Sequence, residues 1–123
     1  MAEDPMKVLH VEISGRDAFS ERATRAFSGE KVGAYLSFAT PELLLKTITA
    51  KRLEIFDAMA GAGPMSIREL ARRVGRDVKA VHGDVQVFLD RQIIIKTDDG
   101  KIELPYDEVR VNFTLGAGRA AAA

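Results

Sequence analysis

Residues 65–109 read MSIRELARRVGRDVKAVHGDVQVFLDRQIIIKTDDGKIELPYDEV, and this stretch decides the fold. Ser66 followed by Glu69 is a capping box, with Met65 and Leu70 placed as a hydrophobic staple around it, so a helix starts here. Ile67, Leu70, Ala71 and Val74 form its apolar stripe, and Gly75 stands where a helix ends. Only Arg76 and Asp77 intervene before a further stripe, Val78, Val81, Val85, Phe88 and Leu89. Two amphipathic helices joined by a short glycine-containing turn are a helix-turn-helix pattern. Ile93 to Lys96 and Lys101 to Leu104 then flank Thr97-Asp98-Asp99-Gly100, a hairpin signal that predicts a type I′ turn with positive φ at both central residues.

Working outward, Thr49 can cap a helix over 50–60 with Ile48 and Leu53 as its staple. Leu53, Phe56, Met59 and Ala60 are its expected inward face, and Gly61-Ala62-Gly63-Pro64 ends it. Helix, helix-turn-helix and hairpin in that order predict a winged helix-turn-helix domain over 49–105. Residues 1–48 read as an α/β arm suited to dimerisation. Strands are expected at 7–14 and 34–39, with a helix over 17–28 carrying Phe19, Ala23, Ala26 and Phe27 and closed by Gly29. Thr40 and Pro41 open a short helix through Ile48. Residues 106–123 hold a last strand, 109–115, and an Ala-rich end expected to fray. The fold class is α+β: a strand-helix-strand arm, a winged helix-turn-helix and a C-terminal strand.

Composition narrows the function. The 123 residues carry 18 Lys and Arg against 18 Asp and Glu, 46% hydrophobic residues and no cysteine, as in a globular cytoplasmic protein. Absent thiols exclude disulfide scaffolds, cysteine-type zinc sites and thiol catalysis. No apolar run approaches membrane-spanning length, and the opening residues lack the apolar core of a signal peptide. His10 and His82 lie far apart in sequence, and no phosphate loop, dinucleotide fingerprint or nucleophile elbow is visible. The expectation is a protein that is not an enzyme and carries neither cofactor nor metal. Its neutral total hides one local excess: residues 66–79 hold Arg68, Arg72, Arg73, Arg76 and Lys79 against Glu69 and Asp77. Such a stripe permits nucleic-acid binding, although a solvated helix face looks the same by charge alone.

The pieces TAKRLEIFDAM, SIRELARRVGRDVKAVHGDV and DRQIIIKTDDGKIELPYDEV resemble winged-helix transcriptional regulators of the MarR-like kind. They are most similar to a small group of DNA-binding proteins in which an α/β arm precedes the winged helix. Some of that group look like antitoxins paired with a small toxin. The resemblance implies a long polar or basic side chain where this chain has Gly83, which removes one base or phosphate contact or lets the backbone approach closely.

If the chain binds double-stranded DNA, the second helix of the pair enters the major groove by its N-terminal half. Its expected outward residues are Arg76, Lys79, Ala80, His82, Gly83 and Gln86. Arg76 and Lys79 suit guanine or phosphate, Gln86 can pair an adenine edge, and His82 can donate to either. Ser66 and the Ile67 N–H lie at a helix N-terminus that favours phosphate. Arg68, Arg72 and Arg73 can meet the DNA backbone, and Lys96 and Lys101 flank the wing tip, although Asp98 and Asp99 oppose deep insertion. Asp77 reads as a cap, and Asp84 as a local partner of Arg76, Lys79 or Arg91 or as a solvated charge. The expected function is a sequence-specific, homodimeric transcriptional regulator that represses by covering its operator. One alternative is an antitoxin that autoregulates its operon and neutralises a toxin. Another is a winged helix that binds only protein.

Overall fold

A computed structural model of the protein describes residues 6–13 and 34–116. The expected helix over 17–28 and the Ala-rich end lie outside the described residues. Contacts among the described residues divide them into two compact units, one of residues 6, 7 and 48–108, the other of 8–13, 34–47 and 109–116.

The larger unit is a winged helix-turn-helix. Numbering all elements in chain order, α2 spans Ala50–Met59, α3 Ile67–Val74 and α4 Val78–Asp90, followed by the short strands β3 (Ile95–Lys96) and β4 (Ile102–Glu103). Each helix begins on the residue its sequence offers. Thr49 Oγ1 accepts from the Arg52 N–H at 3.4 Å, Ser66 Oγ from Glu69 N–H at 3.0 Å, and Asp77 Oδ2 from Lys79 N–H at 3.1 Å. Gly75 ends α3 in the left-handed conformation, φ 68°, and Arg76 N–H reaches back to the Ala71 carbonyl at 3.0 Å. Burying Leu70, Ala71, Val81, Val85 and Phe88 packs α3 and α4 together, and Phe88 meets Phe56 of α2 with ring centroids 4.6 Å apart.

The wing is fastened at its base. β3 and β4 pair antiparallel, Ile95 opposite Glu103, and Ile102 also bridges Met65 in the link between α2 and α3. Two reciprocal bonds, 2.9 and 2.8 Å, make Met65 a one-residue third strand.

Three expectations about packing and turn type in this unit need correction. The inward face of α2 carries Ile55, Phe56 and Met59, whereas Leu53 is 44% exposed. Val78 is 42% exposed because it lies on the first turn of α4, beyond the reach of the core. The wing turn is not type I′. Gly100 (φ 82°) has positive φ but Asp99 does not, and Thr97 N–H bonds the Lys101 carbonyl across three loop residues. That is the three-residue hairpin with one left-handed glycine.

The smaller unit holds a three-stranded sheet in the order β2-β1-β5, with β1 Val8–Ile13, β2 Ala34–Phe38 and β5 Glu108–Asn112. β1 and β2 run parallel, Val11 opposite Leu36. Leu9 and Val11 on one face of β1, Phe38 of β2 and Leu44 of α1 (Pro41–Thr47) are buried. Thr40 caps α1 through Leu43 N–H, at 3.2 Å. The last strand ends at Asn112, short of the expected 115, and pairs with this chain's own β1.

Candidate nucleic-acid interface

α4 buries Val81, Val85 and Phe88 and turns Lys79, Ala80, His82, Gly83, Gln86 and Asp90 to solvent. Of the residues expected on this face, Lys79, His82, Gly83 and Gln86 are therefore brought together on one exposed surface. A Cβ built on Gly83 meets nothing within 4 Å, so the glycine leaves open space between Lys79 and Gln86. Gln86 donates from Nε2 to Asp90 Oδ1 at 2.9 Å.

Arg76 does not join them. Its side chain is only 17% exposed, and Nη2 lies 2.9 Å from Asp84 Oδ2, an ion pair outside hydrogen-bond geometry. The other oxygen of Asp84 accepts from Arg52 Nε at 3.0 Å. Arg76 precedes α4 and folds back over it, so through Asp84 the two arginines tie α2, the turn and α4 together. Burial of Asp84 opposes its ionisation, but the two guanidinium groups outweigh that and hold its carboxyl below the ordinary range. Of the partners expected for Asp84, Arg76 is the one seen; the sequence offered no sign of Arg52, 32 residues away.

The arginines of α3 stand in a different relation. Glu69 takes Arg72 Nε on one oxygen at 3.0 Å and Arg73 Nε on the other at 2.7 Å. Hydrogen bonds from Arg72, then Arg73, lower the Glu69 carboxyl to about 2, and Arg72 is raised in turn. Ser66 accepts from Glu69 N–H while remaining exposed, and Arg68 is exposed beside it. Thus two of the three α3 arginines share one acidic partner, yet Arg72 stays 74% exposed.

Lys96 is exposed on β3, and Lys101 flanks the wing turn. The tip is internally paired: Thr97 Oγ1 donates to Asp99, and Lys101 Nζ lies 3.8 Å from its other oxygen. The Thr97 hydroxyl, with the Lys101 charge as a smaller contribution, holds the Asp99 carboxyl below its ordinary range. Between α4 and the wing runs an open groove lined by Gln86, Leu89, Asp90, Ile94, Ile95 and Lys96. Asp90 and Ile95 line this candidate surface and were missed by sequence reading, Asp90 because an acid on an outward helix face looks like a surface charge.

No curated protein matches this chain. Three solved chains are similar in structure. Among them is a crystal structure of "the predicted DNA-binding transcriptional regulator from E. coli", 20% identical, with a TM-score of 0.49. The similarity covers 75% of this chain and 85% of that one. A family model, HVO_A0114, matches residues 47–111, which run from the end of α1 through the winged helix into β5. That match takes in more than half of the 123 residues, so the chain belongs to the HVO_A0114 family.

Proposed function

We propose that this chain is a DNA-binding transcriptional regulator that lays α4 in the major groove of double-stranded DNA. The observation that carries this reading is the exposed face Lys79, His82, Gly83 and Gln86 on a helix held from behind by Val81, Val85 and Phe88. Helices presented in this way admit base edges to their N-terminal half, and the helix before them crosses the backbone. Arg68, Arg72 and Arg73 of α3 then face phosphates, with Ser66 and the α3 N-terminus beside them, and Lys96 and Lys101 carry the wing toward the adjacent backbone.

In this reading the protein is a cytoplasmic repressor of the MarR-like kind, not an enzyme. It acts by occupying an operator as a homodimer. Four large apolar residues of the smaller unit, Leu43, Leu45, Val111 and Leu115, are exposed, which supports a second copy as their cover. The same residues favour a second reading, an antitoxin whose arm or C-terminal strand docks on a toxin. A winged helix that binds only protein draws its support from Glu69 and Asp84, which between them engage four arginines.

The test is binding of the full-length chain to a randomised duplex library at two salt concentrations. DNA binding predicts enrichment of a motif and affinity that falls with salt. Affinity that ignores salt, with no enrichment, overturns it in favour of the protein-binding module.

A further inference from the structure

Gln86 and Asp90 stand one turn apart on α4, both exposed, joined by the 2.9 Å bond from Nε2 to Oδ1. On a face that meets a polyanion, the Asp90 carboxylate opposes binding at every sequence. A group that weakens binding everywhere is out of place on such a face unless it does something selective. Its hydrogen bond is that selective act. An ionised carboxylate accepts only, so the nitrogen end of the Gln86 amide must face Asp90. This fixes which way the amide is turned and removes rotamer freedom from an otherwise mobile side chain. One Nε2 proton and both lone pairs of Oε1 remain for a ligand. That donor and acceptor match the N7 and N6 amino group of adenine in the major groove. Gly83, three residues earlier, places no side chain beside the amide.

We propose that Asp90 is a positioning residue that orients Gln86 to read an adenine, giving up affinity for all duplexes in exchange for selectivity. The proposal rests on the DNA-binding reading above, with α4 as the reader. It identifies Gln86 as the contact and Asp90 as acting through it, without touching DNA.

The experiment uses the full chain, a duplex enriched from a random library, and a scrambled duplex of equal length as competitor. Asp90→Ala should lose roughly 10-fold or more of the preference for the enriched duplex, the lower part of the range for a bidentate base contact. The same variant should bind the scrambled duplex more tightly, since a negative charge is gone. Asp90→Asn keeps an acceptor for Gln86 and should keep most of the preference while also binding scrambled DNA more tightly. Gln86→Ala should lose the preference that Asp90→Ala loses. Replacing adenines one at a time by 7-deazaadenine, which lacks N7, should weaken the wild type at one position in each half-site and leave Gln86→Ala indifferent there. Asp90→Ala retaining full preference, or 7-deazaadenine costing nothing at any position, overturns the proposal and leaves the DNA-binding reading standing. A wild type that prefers no duplex and shows no salt dependence removes both.

Discussion

Asp84 is the residue on which the helix-turn-helix is tied, because it meets Arg52 of α2 and Arg76 of the turn at once. Removing one member of a largely buried ionic cluster leaves charges without a partner. Asp84→Ala should therefore lower unfolding free energy by roughly 2–4 kcal/mol, read from urea midpoints. Acid should act through the same carboxyl. A group whose folded pKa lies below its unfolded one leaves the unfolded chain holding more protons between the two values, so stability rises with pH there. Asp84 and Glu69 are both lowered, Glu69 to about 2. Both contributions are complete above the ordinary carboxylate range; that of Glu69 is lost as pH falls from about 4 toward 2, and that of Asp84 as pH falls below the same range. The urea midpoint should drop across that window, and a combined Glu69→Gln, Asp84→Asn chain should show a flatter acid limb; an unchanged limb would refute the assignment. Gly83 works in the opposite direction. With room for a Cβ in a helix interior, Gly83→Ala should stabilise the chain by about 1 kcal/mol, visible as a raised midpoint. Of these residues the sequence marked Gly83 as unusual and Asp84 as paired. It could not show that Arg76 turns inward, because an arginine before a helix has the same local pattern whether it reaches DNA or an acid about two turns along that helix.

Each helix of the larger unit owes its ends to short-range chemistry, and this is why its elements were readable. Caps, staples and glycine stops act over three to five residues, so their signals survive in the linear chain. Ser66→Ala should cost about 1 kcal/mol by freeing the Glu69 N–H. Gly75→Ala should cost about as much, because an L side chain at φ 68° is strained although nothing obstructs its Cβ. Chemical denaturation of each variant checks both values, and a neutral Gly75→Ala would mean that the turn rearranges. The faces of the elements were less legible than their ends. Leu53, Ile55, Phe56 and Met59 offer α2 two overlapping apolar stripes, and long-range packing selected the one that exposes Leu53. Val78 continues the stripe of α4 by periodicity, yet the core does not extend to the first turn. The wing showed its glycine but not its turn type, which depends on Asp98 lying in the loop. The candidate site was thus legible as an outward face, Lys79, His82, Gly83 and Gln86, while Asp90 and Arg52 entered only through contacts between side chains.

For the molecule as a whole, the charges that remain available set how binding should respond to salt. Arg76 is engaged by Asp84, and Arg72 and Arg73 share Glu69, so on the proposed reading about two or three phosphates should be neutralised per copy by Arg68, Lys79, Lys96 and the remaining α3 charge. The slope of log K against log salt should be roughly −2 to −3 for each copy bound, at about −0.9 per phosphate. Titrations at several salt concentrations measure it, and a slope steeper by about one unit per copy would mean that Arg76 leaves Asp84 on the DNA. Light scattering of the full chain should report a dimer at micromolar concentration; a monomer would leave Leu43, Leu45, Val111 and Leu115 without the proposed second copy. The single bridge from Met65 to Ile102 has its own consequence in time. Because Met65 leads directly into α3 and Ile102 is buried, lifting the wing breaks both bonds and uncovers Ile102, which sets its opening apart from fraying at the wing tip. In deuterated water the Met65 and Ile102 amides should exchange as slowly as those of Val81 and Phe88, marking wing and helices as one unit that opens together.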